Sequence, residues 1–151
     1  MSDAVVRLAG PGDADTIAGL LCAFRDWWGS TTPSDETFHS TVSLLLEDPR
    51  TEYLLVDDVG VAQLRFRLSA WTGVEDCWLE DLFVRDSARG TGVGRALVEA
   101  CVERARARGC RRIELDVQET NASAIGLYER CGFSSTPKGA ERTLFLSQKL
   151  P

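Results

Sequence analysis

The chain has 151 residues, 44% of them hydrophobic and 26% charged, a length and balance suited to one soluble domain spanning residues 1–151. Its 17 basic and 23 acidic side chains give a formal charge of −6, which argues against a nucleic-acid partner and suits a cationic one. Five cysteines with no C-x-x-C pair and a single histidine disfavour a structural zinc site, and no apolar run approaches the roughly 18 residues of a membrane span. The opening "MSDAVVRLAG" has no signal-peptide core, so a cytoplasmic protein with reduced thiols is expected.

Taken in order, "AVVRLA" reads as a short strand and "GPGDAD" as a turn with Asp13 capping a helix. Ile17, Leu20, Leu21 and Phe24 recur on that helix at helical spacing, and Gly29 closes it. "TTPSDE" starts a second helix, with Thr32 as cap, Pro33 at its first position and Asp35 and Glu36 complementing the dipole. Two strands, "EYLLVDD" and "VAQLRFRLSA", join around Asp58 to Gly60 as a hairpin, and "CWLEDLFVRD" is a third strand. That strand runs into "RGTGVGRAL", which opens a long helix. "RRIELDVQE" then reads as a strand, "NASAIGLYERCGF" as a short helix ended by Gly132, and "RTLFLSQKL" as a last strand. Meandering strands followed by α/β crossovers imply a mixed sheet with helices on both sides.

A glycine loop between a strand and a helix aims backbone N–H groups and the helix dipole at one anion site. Arg89 and Arg95 bracket it and are suited to phosphate oxygens. Two familiar loops are excluded: no Gly-Lys-Ser/Thr follows, and neither Gly90-Gly92 nor Gly92-Gly94 completes G-x-G-x-x-G. Beyond Arg95 the helix reads as structural. Arg95, Glu99, Glu103 and Arg106 form a solvated stripe, opposite Val93, Leu97, Ala100 and Cys101.

Arg89-Gly90-Thr91-Gly92-Val93-Gly94 matches the [QR]-x-x-G-x-[GA] motif of the GNAT N-acetyltransferase superfamily. "LEDLFV" resembles that family's fourth strand, and Asn121 to Phe133 resembles its N-x-x-A-x-x-x-Y-x-x-x-G-F segment. The order of elements agrees across nearly the whole chain. The resemblance implies a mixed α/β fold with six to seven strands and about four helices. It also implies acetyl-CoA as co-substrate and no metal. The amides of Gly90, Thr91, Gly92, Val93, Gly94 and Arg95, beside Arg89, would bind the coenzyme's diphosphate. Leu82, Phe83 and Val84 would pair with pantetheine where the fourth and fifth strands splay apart, and Asn121 and Tyr128 would join the coenzyme site. The last strands of this family often build dimers, so a homodimer is expected.

Acetyl transfer to an amine needs the neutral amine, of which a lysine-like group offers under roughly one part in a thousand at pH 7. A base is therefore useful, as are donors for the oxyanion near Leu82 and a proton for the departing thiolate. Glu80 and Asp81 are neighbours on one strand, which places them on opposite faces. A polyamine and diamine branch of the family carries a similar strand, whose glutamate is proposed to relay a proton through water. That favours Glu80 as base and Asp81 as a contact for the substrate ammonium; the alternatives are Asp81 as base, water alone, or solvated surface charges. Tyr128 reads on spacing alone as a core tyrosine, and through the resemblance as the thiolate's proton donor. Asn121 suits a helix N-cap as well as pantetheine. Trp28 and Trp71, with Trp27 and Trp78, fall in regions that shape the family's acceptor site, although large aromatics commonly serve the core. The expected reaction is direct acetylation of a small cationic amine in a ternary complex. The rival readings are acetylation of a protein lysine or N-terminus, and a non-catalytic acyl-CoA sensor.

Overall fold

The computed structural model describes residues 4–135, 139 and 141–151. β1 (Arg7–Leu8) turns through a short 3-10 segment into α1 (Ala14–Trp27) and α2 (Asp35–Glu47). The hairpin of β2 (Thr51–Val56) and β3 (Gly60–Leu68) leads to β4 (Glu75–Val84). α3 (Val93–Ala107), β5 (Ile113–Glu114) and α4 (Ala122–Arg130) follow. The strands form one sheet in sequence order, antiparallel from β1 to β4 and parallel between β4 and β5.

Alternation along the strands divides the core in two. Tyr53, Leu55, Val61 and Phe83 face α1 and α2, meeting Ile17, Leu20, Leu21 and Val42. Leu54, Val56, Ala62, Leu64 and Leu79 face α3, meeting Val93, Leu97 and Cys101. The helical stripes read from the sequence are thus the faces that the sheet buries.

Helix starts show which polar groups win locally. Ser34 caps α2, its Oγ accepting from the Thr37 N–H at 3.2 Å, so the helix begins two residues beyond the Thr32–Pro33 start read from the sequence. Asp13 precedes α1 but makes no side-chain cap bond. Its carboxylate instead accepts from Arg7 at 2.7 and 2.9 Å and from the Gly10 N–H at 2.8 Å, which ties β1 to the start of α1.

Gly60 sets how closely α3 lies on the hairpin: a Cβ there would stand 2.9 Å from Val93 Cγ1 and 3.0 Å from Leu97 Cδ1. The first turns of α3, which carry the glycine loop, are therefore seated directly on the sheet.

The mixed α/β architecture is the expected one, with fewer strands among the described residues than the six to seven foreseen. The strand expected over 111–119 shortens to two residues, because β4 and β5 share only the Cys77–Ile113 and Trp78–Glu114 rungs. No strand forms over 142–150; Leu144, Phe145 and Leu146 lie exposed outside the sheet, and so short a β5 offers them little ladder to join.

Gly60→Ala is expected to destabilise the protein by about 1–3 kcal/mol through overpacking against Val93 and Leu97, measured as a lower urea midpoint at unchanged slope. The Arg7 and Gly10 hydrogen bonds hold the Asp13 carboxyl down to about 2, against an ordinary 3.8. Its folded pKa is depressed, so its stabilisation is complete above the ordinary value and fades as the pH falls towards 2. Asp13→Asn should therefore cost most stability near neutral pH, and the gap from wild type should close below pH 4, seen in paired urea titrations.

Candidate active site

An open cavity of about 700 Å³ forms where β4 and β5 diverge. β3 pairs with β4 along its whole length to Val84, whereas on the other side β5 leaves β4 after Trp78. The edge of β4 from Leu79 to Val84 then faces the cavity, with Asp116, Val117 and Gln118 on the opposite bank. An extended ligand with amide groups can add to such an edge as a strand does.

The strand itself is interrupted at this point. Leu64 pairs with Leu79 and Gln63 with Asp81, so Glu80 is an extra residue, a β-bulge. The alternation slips by one across it: Cys77 and Leu79 belong to the α3 side of the core, whereas Phe83 belongs to the α1 side. Strict alternation had put Glu80 and Asp81 on opposite faces; the bulge brings both to the cavity wall. Glu80 is exposed and Asp81 half-buried. Burial, and next the Glu80 charge, push the Asp81 carboxyl up to about 6.

The glycine loop closes one end. Gly90 and Gly92 have φ of 75° and 90°, the left-handed region that side chains resist. Gly92 is the N-cap of α3 and offers no side-chain bond, so the first amides of the helix stay free of a side-chain cap. Thr91 Oγ1 donates to the Ala88 carbonyl, folding its side chain back into the loop. Gly94 lets α4 approach, since a Cβ there would lie 3.3 Å from Leu127.

The two bracketing arginines are both occupied. Arg89 donates from Nε to the Val84 carbonyl at 3.0 Å, and its guanidinium stacks 5.0 Å from the Trp27 ring and 5.9 Å from Phe83. It thereby joins the loop to the end of α1. Arg95 pairs with Glu99 at 2.8 Å within the solvated stripe of α3 and still lines the cavity. Arg130 of α4 and Asp116 also line it. Neither was singled out from the sequence, because nothing local to them marks which way the α4 and β5 ends turn.

Tyr128 is half-buried on the cavity wall, edge-on to Phe133 at 5.9 Å. Burial is the main cause that pushes its hydroxyl up to about 12, so it stays protonated through the neutral range. Asn121 caps α4, its Oδ1 accepting from the Ala124 N–H at 3.2 Å, and it also borders the cavity. Phe24, stacked on Phe83 at 5.0 Å, stands with Trp27 and Trp28 as an aromatic wall.

Trp71 stands apart from the other aromatics. It sits in the turn between β3 and β4, 97% exposed, and is not among the residues lining the cavity. That turn precedes Glu75, at the end of β4 opposite the glycine loop. Among the described residues, no three His, Cys, Asp or Glu side chains gather as a metal site, and no helix is long and apolar enough to cross a membrane.

Comparison with known proteins agrees with this geometry. The family model described as Acetyltransferase (GNAT) family matches residues 14–133. An aminoglycoside N(6')-acetyltransferase type 1 of Stenotrophomonas maltophilia is 30% identical over 141 residues, covering 88% of each chain. A mycothiol acetyltransferase of Beutenbergia cavernae is 39% identical over 90 residues, which are 58% of this chain and 29% of that protein. The chain likewise spans less than two thirds of the length of several other curated relatives it matches. A crystal structure of a provisionally assigned acetyltransferase from Arthrobacter sp. FB24 superposes with a TM-score of 0.88 at 34% identity, over 99% of this chain and 98% of that one. The match of sequence, elements and cleft leads to one conclusion: the chain belongs to the acetyltransferase (GNAT) family.

Proposed function

We propose that the protein transfers an acetyl group from acetyl-CoA to a small cationic primary amine, both substrates meeting in the cleft between β4 and β5. The observation that carries this reading is the polarity of that cleft. The left-handed glycines, the amides opening α3, Arg95 and Arg130 border it beyond Val84, while Glu80, Asp81 and Asp116 border it further back along the strand. Four residue steps from Glu80 to Val84 separate the two regions by roughly 13 Å of strand. An anionic carrier and a cationic acceptor thus each have a matching region in one cavity.

The coenzyme fits the residues present. Gly90 and Gly92 keep Cβ atoms out of the loop, the α3 amides suit a diphosphate, and the β4 edge suits pantetheine amides. Bound there, acetyl-CoA supplies an activated thioester. Asn121 would hold the pantetheine from the far bank and Tyr128 would give the leaving sulfur its proton. Amides of β4 near Leu82 are suited to receive the oxyanion. On the acceptor side, Trp28 and Phe24 supply aromatic faces and the carboxylates attract an ammonium.

Relatives as different as a mycothiol acetyltransferase and an aminoglycoside N(6')-acetyltransferase support acetyl transfer without choosing the acceptor. The exposed Leu144, Phe145 and Leu146 support a homodimer built with the C-terminal segment, which sedimentation of the full chain would detect as twice the monomer mass.

Free-thiol release from acetyl-CoA against diaminoalkanes, spermidine, kanamycin and peptides tests the reading. Small cationic amines should turn over well above the peptides. The reverse order would favour a protein acceptor, and coenzyme binding without release on any amine would favour a sensor. Tyr128→Phe should lower kcat about 100-fold while changing the acetyl-CoA KM less than about threefold. Gly92→Ala forces a side chain to φ near 90°, at about 1–2 kcal/mol, and should weaken coenzyme binding about tenfold in calorimetry.

A further inference from the structure

We propose that Asp81, rather than Glu80, is the group that takes the proton from the acceptor amine. The assignment rests on the acetyl-transfer reading and names the base within it.

The argument begins with the pairing of the sheet. Tyr53 of β2 lies opposite Gln63 of β3, and Gln63 lies opposite Asp81 of β4. Directly opposed residues share a face, so the three form one polar row across the sheet. Tyr53 belongs to the core beneath α1 and α2, as does Phe83 two residues beyond Asp81, which identifies the face. This is the side on which Phe24 and Trp28 wall the cavity.

No member of the row makes a side-chain hydrogen bond to another described residue. The Tyr53 hydroxyl is buried and without a hydrogen-bond partner, and Asp81 is the charged group acting most strongly on it. Gln63 is also buried. A buried hydroxyl without a partner costs stability, and the polar row that leads from it to Asp81 on the cavity wall marks a functional site.

The charges around Asp81 are of one sign. Glu80 stands beside it on β4, Asp116 lines the same cavity from the chain after β5, and Tyr128 feels its charge from α4. α1 brings aromatic rings to the cavity. Of the cations, Arg65 of β3 lies 3.8 Å from Asp48, Arg89 rests on Trp27 and Phe83, and Arg95 and Arg130 border the cavity at its glycine-loop end. Asp81 has no ion-pair partner among the described residues, so an incoming ammonium would be its first.

Burial makes this carboxylate a stronger base than an exposed one, and a value near 6 leaves it mostly ionised at neutral pH. Glu80, the exposed bulge residue, lacks that environment. In the step, the Asp81 carboxylate accepts one proton from the ammonium and frees the nitrogen lone pair. The N–C bond forms as the thioester C–S bond breaks, the sulfur leaves with the proton of Tyr128, and the second proton of the nitrogen passes through water to the Tyr128 phenolate. Asp81 then releases its proton to water through the open cavity.

The test is the pH dependence of kcat/KM for a short diaminoalkane at saturating acetyl-CoA. Wild type should gain activity as the pH rises through about 6, since the ionised carboxylate is the working form. Asp81→Asn should lose that limb and about 100-fold in kcat/KM, with coenzyme A affinity unchanged as the sign of an intact fold. Glu80→Gln should keep the limb at about 6, whatever its effect on the KM for the amine. An active enzyme whose limb survives Asp81→Asn, or disappears in Glu80→Gln, overturns the assignment alone. A wild type that acetylates no amine overturns the acetyl-transfer reading, and this role falls with it.

Discussion

Everything in the cleft depends on β4 being paired on one side and abandoned on the other. β3 holds it from Glu75 to Val84, while β5 accompanies it for two rungs and then leaves. Unpaired strand backbone is costly unless water or a ligand satisfies it. The same divergence that opens the cavity therefore makes the edge of β4 the natural seat for a ligand with amide groups. The bulge at Glu80 falls just past the point of divergence and rotates both carboxylates towards the opening.

The loop and its helix are fixed by packing from two directions. Gly60 allows Val93 and Leu97 to rest on the hairpin, and Gly94 allows Leu127 of α4 to rest on α3. Arg89 adds a third attachment by bonding the Val84 carbonyl and stacking on Trp27. Its position thus links the glycine-loop end of the cleft to the aromatic wall formed with α1.

Much of this was legible in the sequence, for reasons that depend on local chemistry. Apolar residues at helical spacing exposed the buried face of α1, and the charged stripe of α3 returned as the Arg95–Glu99 and Arg106–Glu103 pairs. Glycines in the loop announced left-handed backbone, and Asn121 announced a helix cap. Features set by pairing between distant strands were hidden. A bulge has no residue signature of its own, so alternation misassigned Glu80 and Asp81. Trp71 was read as an acceptor contact because an indole in a turn carries the same sequence signal whether it meets a ligand or water. Asp116 and Arg130 reach the cavity only through the splay and the placement of α4, which no local spacing records.

The central claim is that a coenzyme lies along the freed edge of β4 and over the start of α3. Amide hydrogen exchange with and without acetyl-CoA tests it most directly. The account predicts that the amides of Leu82–Val84 and of Val93–Arg95 gain protection on adding acetyl-CoA, while those of Leu54 and Leu55, paired on both sides already, do not change. Protection that appears elsewhere and leaves both of those segments unaltered would contradict it.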